Sequence, residues 1–104
     1  MPAISIIIPT FNHARSLPTT LASIFKQTFQ DFEVIVVDDG STDQTFNAVA
    51  PYLDKITYFK TINSGANSAR NRGAARAKGE HLLFCDADII LASNFLEILH
   101  TALK

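Results

Sequence analysis

Only one of the 104 residues is cysteine and none is tryptophan. The lone Cys85 rules out an internal disulfide and a cysteine-based zinc cluster, which fits a reducing compartment such as the cytosol; its own setting, at the end of an apolar run, reads as core. Neither sign of charge dominates. Nine Lys and Arg stand against ten Asp and Glu for a formal net charge of -1, far from the strongly basic balance of a nucleic-acid-binding domain, so no nucleic-acid partner is expected. No stretch approaches the roughly 18 uninterrupted apolar residues of a membrane span, and the opening MPAISIIIPTFN lacks the basic region and the apolar length of a signal peptide. A soluble cytosolic domain is expected, within a longer parent able to sit at the membrane periphery. Glycine is scarce too, with four in the chain. The loop PTFNHAR after the first apolar run has none, which excludes the G-x-G-x-x-G dinucleotide fingerprint; no G-x-x-x-x-G-K-[ST] and no G-x-S-x-G occurs anywhere.

What is present is a 47% hydrophobic chain of a length that suits one core. Ile4 to Ile8 is a β-branched run that predicts a strand ending at Pro9. Ser16 is placed to cap a helix with Leu17, Leu21, Ile24 and Phe25 on one stripe, stopping near Thr28. Val34 to Val37 is apolar without alternation, the pattern of a strand covered on both faces. Ser41, Thr42 and Asp43 are capping candidates for a second helix, which Pro51 should kink or end. Ile56 to Ile62 predicts a third strand, at an edge. Gly65 to Lys78 predicts a helix with a flat face of Ala66, Ala69, Gly73 and Ala77, stopped by Gly79 as a C′ residue. His81 to Cys85 predicts a fourth buried strand, and Ser93 caps a last helix carrying Leu96, Leu99 and Leu103. The alternating order predicts an α/β fold: a mostly parallel sheet with helices on both faces, Rossmann-like. The chain stops at or just after a helix whose leucines call for more protein, so residues 1–104 read as one truncated domain. Surfaces bared in that way predict a homo-oligomer.

In an open parallel sheet, ligands gather at the carboxyl ends of the strands. Those ends carry Pro9 to Asn12, Asp38 with Asp39, Asn63 with Ser64, and Asp86 with Asp88. Carboxylates converging on one rim repel each other, and a divalent cation with hard oxygen ligands, Mg²⁺ or Mn²⁺, is the economical remedy. Arg70 adds donors suited to phosphate. Asp43 reads as turn chemistry. Arg72 reads as solvated, and His13, His81 and His100 have no partner at metal-ligand spacing.

The pieces SIIIPTFN, SIFKQTFQDFEVIVVDDGSTDQT, NSGANSARNRG and AKGEHLLFCDADI, in that order and spacing, resemble the family-2 glycosyltransferases of the GT-A fold, over essentially the whole chain. The resemblance implies a donor-binding half of an inverting enzyme that uses a nucleotide diphospho-sugar, UDP being the commonest nucleotide. It carries nucleotide binding to Pro9, Phe11 and Asp39 at the base, with Asp38 adjacent, to Asp86 near the ribose, and to Arg70 of the A-R-N-x-G pattern. It makes Asp88 of the D-x-D the ligand to Mg²⁺ or Mn²⁺. It also implies a catalytic domain that continues past Lys104 with the acceptor site and the general base, so residues 1–104 alone are expected to be inactive and hold no catalytic residue; the acceptor is unassigned. A non-catalytic nucleotide-binding or assembly module is the competing expectation. A nucleotidyltransferase would want glycines in the first loop.

Overall fold

A computed structural model describes all residues, 1–104. Four parallel strands, β1 (Ile4–Thr10), β2 (Phe32–Asp38), β3 (Thr57–Lys60) and β4 (His81–Phe84), form one sheet in the order β3-β2-β1-β4. The helices are α1 (Leu17–Phe25), α2 (Thr45–Val49) with a 3-10 turn over Ala50–Tyr52, α3 (Ala66–Arg76) and α4 (Phe95–Ala102). Strand alternation sorts the core into two layers. Ile4, Ile6, Ile8, Val34 and Val36 pack under Leu17, Leu21 and Ile24 of α1, Val49 of α2 and Leu96 of α4. Ile7, Ile35 and Val37 face the other way, against Ala69 of α3. Helices thus cover both faces. The small face of α3 is what allows its close approach: a Cβ at Gly73 would stand 2.5 Å from Ile7 Cγ2.

Several expectations are corrected. β1 does not end at Pro9 but runs through it, with Pro9 in register with Val37. Thr10 O accepts from Asp39 on the β2 side and Ile7 O from Cys85 on the β4 side, so by alternation Pro9 turns its N–H-less nitrogen toward β4, beyond that strand's end, where no ladder bond is lost. β4 is not fully buried. It forms an edge, and Leu82 and Phe84, 45% and 47% exposed, lie beyond the cover of α3. Gly79 is not a left-handed helix stop, since positive φ among the glycines occurs at Gly40 and Gly65. It passes so close to β1 that a Cβ would lie 2.7 Å from Ser5 N. α1 ends at Phe25, and α4 takes Asn94 rather than Ser93 at its N-cap. The end of α2 at Val49, where a 3-10 turn over Pro51 takes over, and the edge position of β3 are as expected.

Candidate functional site

The strand order reverses between β1 and β4, which is where an open parallel sheet binds its ligand. A cleft of about 430 Å³ opens there, lined by residues that include Pro9 and Thr10 at the end of β1, Phe11 and His13 after it, Asp39 after β2, Asn63, Gly65, Ala66 and Arg70 around the start of α3, and Asp86 and Asp88 after β4. Six of the seven residues singled out from the sequence meet on its walls. Asp38 does not.

The reason is the pleat. Asp38 ends β2 on the α1 face, 1% exposed, where Oδ1 accepts from Ser41 N at 2.8 Å and Oδ2 accepts from the Tyr58 hydroxyl. Burial, and then this carboxylate, hold the Tyr58 phenol well above its ordinary 10.0. Asp39, one residue on, faces the α3 side. Its Oδ1 accepts from Ser64 N at 2.8 Å and its Oδ2 from Gly65 N at 3.0 Å, the two amides that lead into α3. Each oxygen keeps a lone pair for a ligand, on a carboxylate that can no longer swing. Asn63 Nδ2 donates to Asp39 O at 3.0 Å and fixes the backbone as well. Gly40 makes this turn feasible, with φ 79° and its α-carbon so near Asn63 that a Cβ would fall 2.8 Å from Asn63 N.

The opposite wall is a turn, closed by Ile89 N on Asp86 O at 3.4 Å, with Ala87 and Asp88 at its centre. Cys85 and Ala87 are buried, whereas Asp86 and Asp88 are exposed and line the cleft. Burial, reinforced by the Asp86 and Asp88 carboxylates, pushes the Cys85 thiol up to about 11. Arg70 Nη1 donates to Asn67 Oδ1 at 3.0 Å, and the remaining guanidinium donors are free to serve an anion. The rim between the walls is laced: Asn12, at φ 59°, accepts from Thr42 N at 2.8 Å, and its own N–H donates to Ser41 Oγ at 2.9 Å. Asp43 does the turn chemistry expected of it, accepting from Thr45 N at 3.0 Å and Ala14 N at 3.1 Å, and its hydrogen bond from the Thr45 hydroxyl lowers its pKa.

The picture of four carboxylates around one cation is corrected. Three acids line the cleft, and no three His, Cys, Asp or Glu side chains gather closely enough to hold a metal by themselves. The donor set still suits a hard divalent ion, because Mg²⁺ and Mn²⁺ are commonly held by one or two carboxylates while phosphate oxygens and water fill the other positions. Thr10, within the Pro9 to Asn12 stretch expected at the rim, lines the cleft, and so does His13, which the sequence set aside. His13 lies on the first loop at the carboxyl rim, and that placement was its only signal.

A parallel α/β domain with an acidic cleft at its strand switch falls in the class of open-sheet folds whose ligands sit in that crevice. Within that class the chain belongs to glycosyl transferase family 2, whose model matches residues 5–104. It is 37% identical over 101 residues to an uncharacterized glycosyltransferase of Haemophilus influenzae, covering 93% of this chain and 40% of that protein. S. aureus TarS 1-349, solved with UDP, superposes with a TM-score of 0.88 at 36% identity, covering 95% of this chain and 31% of that one. The mannosyltransferase PcManGT of Pyrobaculum calidifontis, solved with GDP-Man and Mn²⁺, gives 0.80 at 29% identity, covering 98% and 31%. The chain therefore spans well under half the length of these relatives. No helix is long and apolar enough to cross a membrane.

Proposed function

We propose that residues 1–104 are the donor-binding part of an inverting, metal-dependent glycosyltransferase that takes a UDP-sugar, the nucleotide of the more similar of the two solved relatives. The observation that carries this is the meeting of Asp39 and Asp88 on one cleft at the strand switch. Asp39, held by two amides, accepts the imide N–H of the base or a ribose hydroxyl, while Pro9 and Phe11 flank the base. Asp86 accepts from the ribose. Arg70 places its guanidinium against the diphosphate and offsets the charge that grows on the departing nucleoside diphosphate. Asp88, with Asp86 beside it, would hold Mg²⁺ or Mn²⁺, which when bound neutralises diphosphate oxygens. Asp38 serves by fixing the end of β2. The acceptor site and general base belong to the rest of a longer polypeptide, and this part alone binds nucleotide without transferring sugar.

Calorimetric titration of UDP with and without Mn²⁺ tests the reading. Affinity should rise with Mn²⁺, and Asp88→Ala should remove that rise while leaving metal-free binding. Equal affinity with and without Mn²⁺ in the unaltered protein would instead indicate a non-catalytic binding module.

A further inference from the structure

The segment bearing Asp86 and Asp88 has no regular secondary structure: residues 85–94 run between β4 and α4. What holds it is α1. Ser16, Thr20, Ser23 and Gln27, spaced four, three and four residues apart, form one polar line along α1 and its C-terminal extension, and each bonds the backbone opposite. Ser16 Oγ donates to Ala87 O at 3.0 Å, and Thr20 Oγ1 donates to the same oxygen at 3.1 Å. Ser23 Oγ accepts from Leu91 N at 3.1 Å. Gln27 Nε2 donates to Ala92 O at 2.6 Å, and Gln27 Oε1 accepts from Leu96 N at 3.0 Å. Thr20 and Gln27 are buried. Hydroxyls on a helix ordinarily cap it or bond back to the preceding turn. Ser16 stands at the N-cap and makes no cap bond; its proton is spent on Ala87.

The carbonyl gripped twice belongs to the residue between the two acids. Ala87 and Asp88 are the central pair of a turn that Ile89 N closes on Asp86 O at 3.4 Å, so fixing the peptide between them holds the turn from which both acids leave the chain. The grip also reaches the cleft, because His13 Nδ1 lies 3.4 Å from Ser16 Oγ.

We propose that Ser16 and Thr20 are positioning residues that aim Asp86 and Asp88 into the cleft before ligand arrives, with Ser23 and Gln27 extending the same rail to α4. The inference rests on the donor-binding reading above and assigns the element that makes its acidic wall competent. The test is UDP binding to the 104-residue protein by calorimetry, with and without Mn²⁺, for the unaltered chain, Ser16→Ala, Thr20→Val, the double variant and Thr20→Ser. The gain in affinity that Mn²⁺ confers should shrink roughly three- to tenfold for each hydroxyl removed, the range a net hydrogen bond spans. Metal-free affinity, which rests on Asp39 across the cleft as well as on Asp86 at the ribose, should fall by clearly less than the Mn²⁺ gain does, and Thr20→Ser should restore the gain. Amide exchange over residues 86–91 of the ligand-free double variant should quicken. An undiminished gain in the double variant, or equal losses with and without Mn²⁺, overturns the inference. Should the double variant not fold, Ser16→Ala, at a half-buried hydroxyl, reads the same ratio. An unaltered protein that binds no UDP overturns the donor-binding reading and this inference together; one that binds while every variant matches it overturns this inference alone.

Discussion

Asp38→Ala is expected to cost stability and spare the cleft, the reverse of what the sequence resemblance implies for that residue. The Asp38 carboxylate accepts from Ser41 N and from the Tyr58 hydroxyl. Hydrogen bonds to a charged acceptor contribute about 1.5–3 kcal/mol each, and removal leaves Ser41 N–H buried without a partner. Tyr58 is half-buried and can turn its hydroxyl to water, which puts the sum near the lower end, about 3 kcal/mol. For a chain of this size that lowers the melting temperature by on the order of 15 °C. Urea denaturation gives the first quantity, and calorimetry with UDP at a temperature where the variant is folded gives the second. Asp39→Asn is the contrasting variant: it keeps one acceptor oxygen for Ser64 or Gly65 but presents an amide to the other, and UDP affinity should fall about tenfold or more for a smaller loss of stability. A stable Asp38→Ala with weakened UDP binding would refute the assignment of the two acids to opposite faces of the sheet.

Stability should decline at alkaline pH through Tyr58. Its folded pKa is raised above the unfolded value of 10.0, so the native state keeps a proton that the unfolded chain loses, and stability present below about pH 10 drains away above it. Urea midpoints measured from about pH 9 to about pH 11 should fall more steeply for the unaltered protein than for Tyr58→Phe. Gly79→Ala drives a Cβ to 2.7 Å from Ser5 N and 2.9 Å from Ile4 C, both backbone atoms of β1, and should cost about 1–3 kcal/mol in the same assay. The open edge of β4, with Leu82 and Phe84 exposed beside it, should produce concentration-dependent self-association in light scattering. Phe84→Lys should reduce it, and a monomer at every concentration would exclude this edge as a contact.

The order of elements was readable because each carries its own period: the β-branched runs of Ile4 to Ile8 and Val34 to Val37, and the Leu17, Leu21, Ile24 stripe. Proline misled at Pro9, since whether a missing N–H matters depends on which neighbour the residue faces and how far that neighbour extends. β4 misled for a related reason: an apolar strand of four residues looks the same in the middle of a sheet and at its edge. The rail on α1 went unread because Ser16, Thr20, Ser23 and Gln27 look like an ordinary solvated face until the chain after β4 is laid across them. Gln27 is the telling case, a long polar side chain only 3% exposed, with its amide spent on a segment far along the sequence.

The two acidic pairs reach opposite outcomes through different backbone geometry, a strand end and a turn. Successive side chains in a strand point to opposite faces, so adjacent acids there are separated. Asp38 and Asp39 part company at the end of β2, one bound into the structure by Tyr58 and Ser41, the other held open to the cleft by Ser64 and Gly65. Asp86 and Asp88 stay together on a turn whose Ala87 side chain is buried and whose Ala87 carbonyl is gripped by Ser16 and Thr20. Spacing therefore tells which acids can share a ligand only together with the local backbone, strand or turn. Which face that ligand occupies follows from the neighbours: Val37 packs toward α3, so Asp39 does too, and the cleft lies where α3 begins.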